Sequence, residues 1–272
     1  MLLIFLYVKI HPMLVLDLET KKQFSDVGGQ EFADRLGISL VGVYDYVDDK
    51  FVAFRENQID ELLGLIKSRE KVIGFNIKAF DWKVLQPYAK ELFLKNVPTL
   101  DLMEDVANFL GFRVGLAALS ETNLGETKSG HGLEAIKWYQ EGNWELLEKY
   151  CLDDVRLTRD LYELGSKQGY LKVLNKNGST YIVPVRWGRE KSDHDILETL
   201  RRAQLTRRPV ELNYIMPGNN QDPQAKGIFE VNSVLSKKAD LRDYSNGKNQ
   251  EIALVNILNA EIKEVPHTQS LF

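Results

Sequence analysis

Four carboxylates and one phenol stand out by type and spacing: Asp17 and Glu19 two apart, Asp81 behind Asn76 and Phe80, and Tyr150 four residues before Asp154. Side chains two apart in a strand leave by the same face, so Asp17 and Glu19 form a pair while Leu18 turns into the core. Two like charges that close repel unless a cation intervenes, and hard divalent ions prefer oxygen ligands of this kind. Helix residues four apart also share a face, so Tyr150 and Asp154 can reach one water, and Asp153, offset by about 100°, cannot share that position. Carboxylates converging from separate elements on two divalent cations, beside a group that orients water, are what phosphodiester hydrolysis requires. Each segment alone has an ordinary reading: a solvated strand end, a capped helix surface, a core tyrosine. The expectation rests on the set.

The chain has 272 residues, 44% apolar and 27% charged, which describes a folded protein with room for a main domain and a smaller appendage, not a disordered or fibrous one. Its single cysteine, Cys151, allows no intrachain disulfide and no zinc site built on several thiolates, and it fits a reducing cytoplasm. A net charge of −4 lacks the basic footprint of sequence-independent nucleic-acid binding, an objection that weakens if bound cations offset the clustered acids. The apolar opening Met1 to Val8 has no basic segment before it and no small-residue cleavage site after it, and it is too short to cross a bilayer. An extra strand, a packed tail or an upstream start before Met13 are the readings for residues 1–12, with no membrane partner expected.

The acids need elements to position them. The apolar run from Met13 to Leu18 reads as a buried central strand whose tip opens into a site. Gly37 to Tyr46 and Phe51 to Arg55, around Val47-Asp48-Asp49-Lys50, predict a hairpin and thus an antiparallel meander. Gln58 to Ser68 has helical spacing, Lys71 to Phe75 resumes a strand, and Asn76 is expected to cap a helix through Phe80, Trp82 and Leu85, with Asp81 five residues in. Val97 to Leu102 leads into a helix from Met103 to Leu110, with Asp101 at the junction. Gly111 to Gly132 is polar and glycine-bearing and reads as a loop-and-helix excursion near the substrate path, with Lys128 available for a phosphate. Asn143 then caps a long helix from Trp144 to about Ser166, and Tyr170 to Leu174 with Thr180 to Val185 form a hairpin that closes the first domain.

Asp17-x-Glu19, Asn76-x-x-x-Phe80-Asp81 and Tyr150-x-x-x-Asp154 resemble, in order and spacing, the three motifs of the DEDD superfamily of 3′-5′ exonucleases. The resemblance covers about residues 13 to 187 and implies an α/β, ribonuclease H-like mixed sheet flanked by helices. That superfamily divides by a tyrosine four residues or a histidine five residues before the last aspartate; Lys149 holds the histidine's place here, so the tyrosine (DEDDy) class fits, and His131 lies too far upstream to belong to the motif. The resemblance further implies two Mg2+ or Mn2+ ions, with Asp17 bridging both, Glu19 and Asp154 completing one site and Asp81 serving the second. Tyr150 would orient the attacking water, and Thr20, Asn76, Phe80 and Lys128 would contact substrate. The implied substrate is single-stranded DNA or RNA with a free 3′ end, DNA slightly favoured through the likeness to helicase-linked domains, with a helicase as a possible partner. The rivals are a binding adaptor that keeps the scaffold, and an endonuclease on the same fold.

Gly188 to Asp193 reads as a linker, giving residues 1–12 as an extension, 13–188 as the nuclease domain, 189–193 as the linker and 194–272 as a small, mainly-β domain. A helix with Ile196, Leu197 and Leu200 precedes strands at Val210 to Ile215, Gly227 to Leu235, Leu241 to Tyr244 and Glu251 to Leu258, with a tight turn at Asn246-Gly247. That pattern suggests a small Sm/SH3-like barrel. The stretch from Leu200 to Tyr214 resembles in part the start of WYL domains, although no Trp-Tyr-Leu triplet follows. Its Arg201, Arg202, Arg207 and Arg208 are either phosphate contacts or a solvated helix end.

Overall fold

The computed structural model describes residues 12–126, 132–175, 177–188 and 193–264. Lys128, His131 and residues 1–11 lie outside them. The chain divides into two compact units, Met1–Tyr162 and Glu163–Phe272.

In the first unit, β1 (Met13–Thr20) is followed by a short helix α1 (Phe24–Val27), then by β2 (Ile38–Asp45), β3 (Lys50–Arg55), α2 (Ile59–Lys67) and β4 (Lys71–Gly74). Helix α3 (Asp81–Leu85), β5 (Thr99–Asp101), α4 (Leu102–Leu110), α5 (Leu116–Leu124), α6 (Gly132–Glu141) and the long α7 (Trp144–Gln168), whose last residues belong to the second unit, complete it. The sheet order is β3-β2-β1-β4-β5, with β1 antiparallel to β2 and parallel to β4, so it is mixed and β1 is central. Its apolar faces carry Leu14, Leu16, Val41 and Val43, and α2 packs Ile59, Leu62, Leu63 and Ile66 into the same core. Helical spacing of those four residues gives α2 one buried face.

Three local elements differ from the expectations. Asn76 caps no helix: it takes the left-handed conformation (φ +64°), and its carbonyl accepts the amides of Ala79 and Phe80 at 3.2 and 3.0 Å. Asparagine tolerates that conformation better than most residues, so this signal marks a turn. Phe80 is the N-cap and Asp81 is the first residue of α3. Second, α6 forms where no helix was assigned. Third, the expected run from Glu251 to Leu258 is two strands.

In the second unit, a hairpin of β6 (Tyr170–Leu174) and β7 (Thr180–Pro184) precedes α8 (Asp193–Thr206) and the strands β8 (Val210–Ile215), β9 (Gln224–Val234), β10 (Lys238–Asp243), β11 (Asn249–Ala253) and β12 (Ile257–Ile262). The last five form an antiparallel sheet in the order β11-β10-β9-β8-β12. A 3-10 turn at Leu254–Asn256 breaks the chain between β11 and β12, which end on opposite edges. The sheet is therefore open, not the closed barrel expected: closure needs its two edge strands to pair, and these do not. One face is covered by α8 through Ile196, Leu200 and Ala203, packed on Val210, Leu212, Phe229 and Leu241.

Candidate metal centre

β1 outlasts its parallel neighbour. It pairs with β4 only over Met13 to Val15, while its pairing with β2 continues to Thr20. Beyond Val15 the β4 side of the strand is open, and there the Leu18 amide donates to Asp81 Oδ1 at 3.1 Å. A buried amide needs a partner, and the first residue of α3 supplies it. Asp17 and Glu19 alternate with Leu18, as the strand period requires.

Helix α7 reaches the same place because β2 is bare opposite Asp17. Gly42 is the cross-strand partner of Asp17, and a Cβ on it would lie 2.9 Å from Cys151 Sγ and 3.0 Å from Val155 Cγ2. Only glycine lets the helix approach so closely. Cys151 is fully buried in that contact, and its thiol donates to the Asp17 carbonyl at 3.6 Å. Burial, together with the charges of Asp17, Glu19 and Asp154, pushes this thiol well above its usual range. Cys151 is therefore a spacer between helix and strand, held neutral.

Fixed in this way, Asp17, Glu19 and Asp154 offer ligand oxygens that all lie within 4.8 Å of one another, a group that could hold a metal ion. Glu19 and Asp154 are buried, and Asp17 is half-buried. Asp81 lies outside this group of three but lines the same cleft, together with Tyr150. Asp81 is 3% exposed; burial first, and next the charge of Asp17, drive its pKa well above the carboxylate range. Asp153, the alternative acid on α7, lies 3.8 Å from Arg156 instead.

The cleft has a volume of about 400 Å³. Acids line one part of it, and Phe24, Leu36, Phe80, Leu133 and Ile136 make an apolar wall. Phe24 and Phe80 meet edge to face, 5.9 Å between centroids. Tyr150 is held edge-on by Trp138 of α6 at 5.7 Å. Thr20 lines the cleft, although its hydroxyl donates to the Lys22 carbonyl at 2.8 Å. Asn76 is not part of the lining. Its amide and that of Lys78 donate to Asp101, which also caps α4, and its side-chain oxygen accepts Arg113 at 3.0 Å. Asp101 thus ties the turn before α3 to β5, and so places Asp81.

Sequence reasoning missed Lys22, Leu133, Ile136 and Arg113. Lys22 follows the first motif directly and could have been found there. Leu133 and Ile136 belong to the unassigned α6, and nothing local connects Arg113 to Asn76, 37 residues away.

No curated protein matches this chain. Among solved structures, one chain of the cryo-EM structure of the simian T-cell lymphotropic virus intasome in complex with PP2A regulatory subunit B56 gamma is similar at 13% identity, over 94% of this chain and 83% of that one. Its TM-score of 0.20 is too low to inform the fold. The RNase_H superfamily matches residues 23–165, a span that begins just after Glu19 and ends beside the boundary between the two units. With that match over more than half of its length, and with a central strand and a long helix bringing acids together, the chain belongs to the RNase_H superfamily.

Proposed function

We propose that this protein is a 3′-5′ exonuclease of the tyrosine DEDD class, which hydrolyses phosphodiester bonds at the 3′ end of single-stranded nucleic acid in the cytoplasm, with DNA slightly preferred over RNA. The observation that carries the reading is the convergence of Asp17, Glu19 and Asp154 within 4.8 Å, in a cleft that Asp81 and Tyr150 also line. An all-carboxylate donor set suits Mg2+ or Mn2+. Asp17, Glu19 and Asp154 would hold one ion, and Asp17 with Asp81 a second. Bound there, the cations supply Lewis acidity, which makes water a nucleophile near neutral pH and stabilises charge on the leaving 3′ oxygen.

The chain's own groups do the rest. Tyr150, one helical turn before Asp154 and fixed by Trp138, orients the attacking water through its phenol. Phe80 and Phe24, with Leu133 and Ile136 of α6, give the terminal base an apolar surface to rest on. Asn76 and Arg113 form a polar pair for the strand outside the cleft, and Lys128 adds a phosphate contact. A cleft of about 400 Å³ suits a strand end better than a duplex. The second unit, WYL-like in the residues from Leu200 to Tyr214, is assigned to a partner such as a helicase, or to the strand beyond the cleft. Among the described residues no helix is long and apolar enough to cross a membrane.

The test is an oligonucleotide labelled at either end, as DNA and as RNA, with Mg2+, Mn2+ or chelator. Stepwise loss from the 3′ end, with release of nucleoside monophosphates, is expected in both metals and not in chelator. Cleavage of circular single strands would make the protein an endonuclease, and binding without cleavage would make it an adaptor.

A further inference from the structure

Two consecutive lysines follow the first motif, and the structure divides their work. Lys21 is neutralised: its ammonium meets Glu56 Oε2 at 2.5 Å, Glu56 in turn accepts the Tyr88 hydroxyl at 2.7 Å, and the Tyr139 ring lies 5.6 Å from the same ammonium. The hydrogen bond that Lys21 donates to Glu56 raises the Lys21 pKa, as expected of a structural ion pair. Lys22 is different. It is exposed and lines the acid cleft, and among the described residues no hydrogen bond or ion pair engages its ammonium.

The backbone around Lys22 is nevertheless fixed. Its carbonyl accepts the Thr20 hydroxyl at 2.8 Å, the Lys21 amide donates to the Gly37 carbonyl at 3.1 Å, and the Gln23 amide donates to Asp26 Oδ2 at 3.0 Å. A free cation on a pinned backbone is prepared for a ligand brought from outside. Of the described residues that line the cleft, four are acids and Lys22 is the single cation. Without bound cations the carboxylates of Asp17, Glu19 and Asp154 repel a phosphate, and Lys22 is the cationic side chain among the described lining residues that attracts one.

We propose that Lys22 is the cleft's contact for the sugar-phosphate backbone, so that it governs how tightly the strand binds and how steeply binding depends on salt. The inference rests on the phosphodiester reading above. Lysine binds phosphate as a point charge, without the two-pronged geometry of arginine, which suits a backbone that must slide forward after each cleavage.

The experiment measures binding of a fluorescein-labelled single-stranded oligonucleotide to the full chain in Ca2+, across a salt series, followed by steady-state cleavage in Mg2+. Lys22→Gln should bind about tenfold more weakly, with the same melting temperature as wild type. The slope of log affinity against log salt should be shallower by about 0.7, the value of one phosphate contact on a single strand. KM should rise with kcat nearly unchanged, and Lys22→Arg should restore binding. Lys21→Gln should keep the slope and instead melt at a lower temperature. Unchanged affinity and slope in Lys22→Gln, against a wild type that binds and cleaves, would overturn the assignment of Lys22 alone. A wild type that binds no oligonucleotide would overturn the phosphodiester reading as well.

Discussion

The two ends of β1 treat a buried aspartate in opposite ways. At the Leu14 end, Asp45 of β2 is 1% exposed and faces Arg69, whose Nε and Nη2 donate to its two oxygens at 3.0 and 2.6 Å, with the Val47 amide adding a third bond at 3.0 Å. At the Leu18 end, Asp81 is 3% exposed, accepts the Leu18 amide and faces Asp17. Burial raises the pKa of both carboxyls. At Asp45 the hydrogen bonds of Arg69 and Val47 and the charges of Arg69 and Lys50 overcome it and leave a net lowering, whereas at Asp81 the charge of Asp17 adds to it. Burial alone does not decide what a carboxylate is for. A cation supplied by the chain makes one end structural, and the concentration of acids at the other could hold a cation from solution.

The largest effect expected of that contrast is on activity. Asp17→Asn or Asp154→Asn should lower cleavage on the order of a thousandfold or more, since several kcal/mol of charge stabilisation go with the cation, while the melting curve changes little. Tyr150→Phe should fall short of that loss and keep metal binding, as measured by titration. Asp45→Asn should do the reverse. It leaves Arg69 without its carboxylate and should cost about 3 kcal/mol of stability in chemical denaturation, with the active site intact.

The same variant tests the sign of the shift. A lowered carboxyl pKa contributes stability that is present above the ordinary carboxylate range and is lost as pH falls through the lowered value, so wild type should lose stability along an acid limb that Asp45→Asn flattens. The smallest expected effect is at Asp81, and its sign is opposite. With a raised pKa, the folded protein holds a proton that the unfolded chain releases, and metal-free stability falls as pH rises from the ordinary carboxylate range toward the raised value. Asp81→Asn should remove that decline and melt a little higher than wild type in chelator at neutral pH. A lower melting temperature would mean that the acid is needed for the fold.

The sequence made legible what local periodicity and spacing determine. Met13 to Leu18 announced β1, the hairpin of β2 and β3 was marked by its turn, and Asn143 announced α7, so two of the three acidic segments could be placed before the fold was known. Asn76 misled because one residue type serves both caps and left-handed turns, and only the chain around it decides which. Helix α6 was missed because it begins on Gly132, a residue that reads locally as a break, although Leu133 and Ile136 then line the cleft and Trp138 holds Tyr150. The role of Gly42 had no local signal: it depends on the register of β1 against β2 and on a helix more than a hundred residues later. In the second unit, alternation located the strands but merged the last two into one run, and it could not say whether the sheet would close, because closure depends on which edges meet.

The central claim is that Asp17, Glu19 and Asp154 act together as a seat for a divalent cation. Calorimetric titration of Mn2+ into the metal-free full chain, beside Asp154→Asn, tests it most directly. The account predicts saturable binding to wild type that is lost or greatly weakened in the variant, and identical titrations of the two proteins would contradict it.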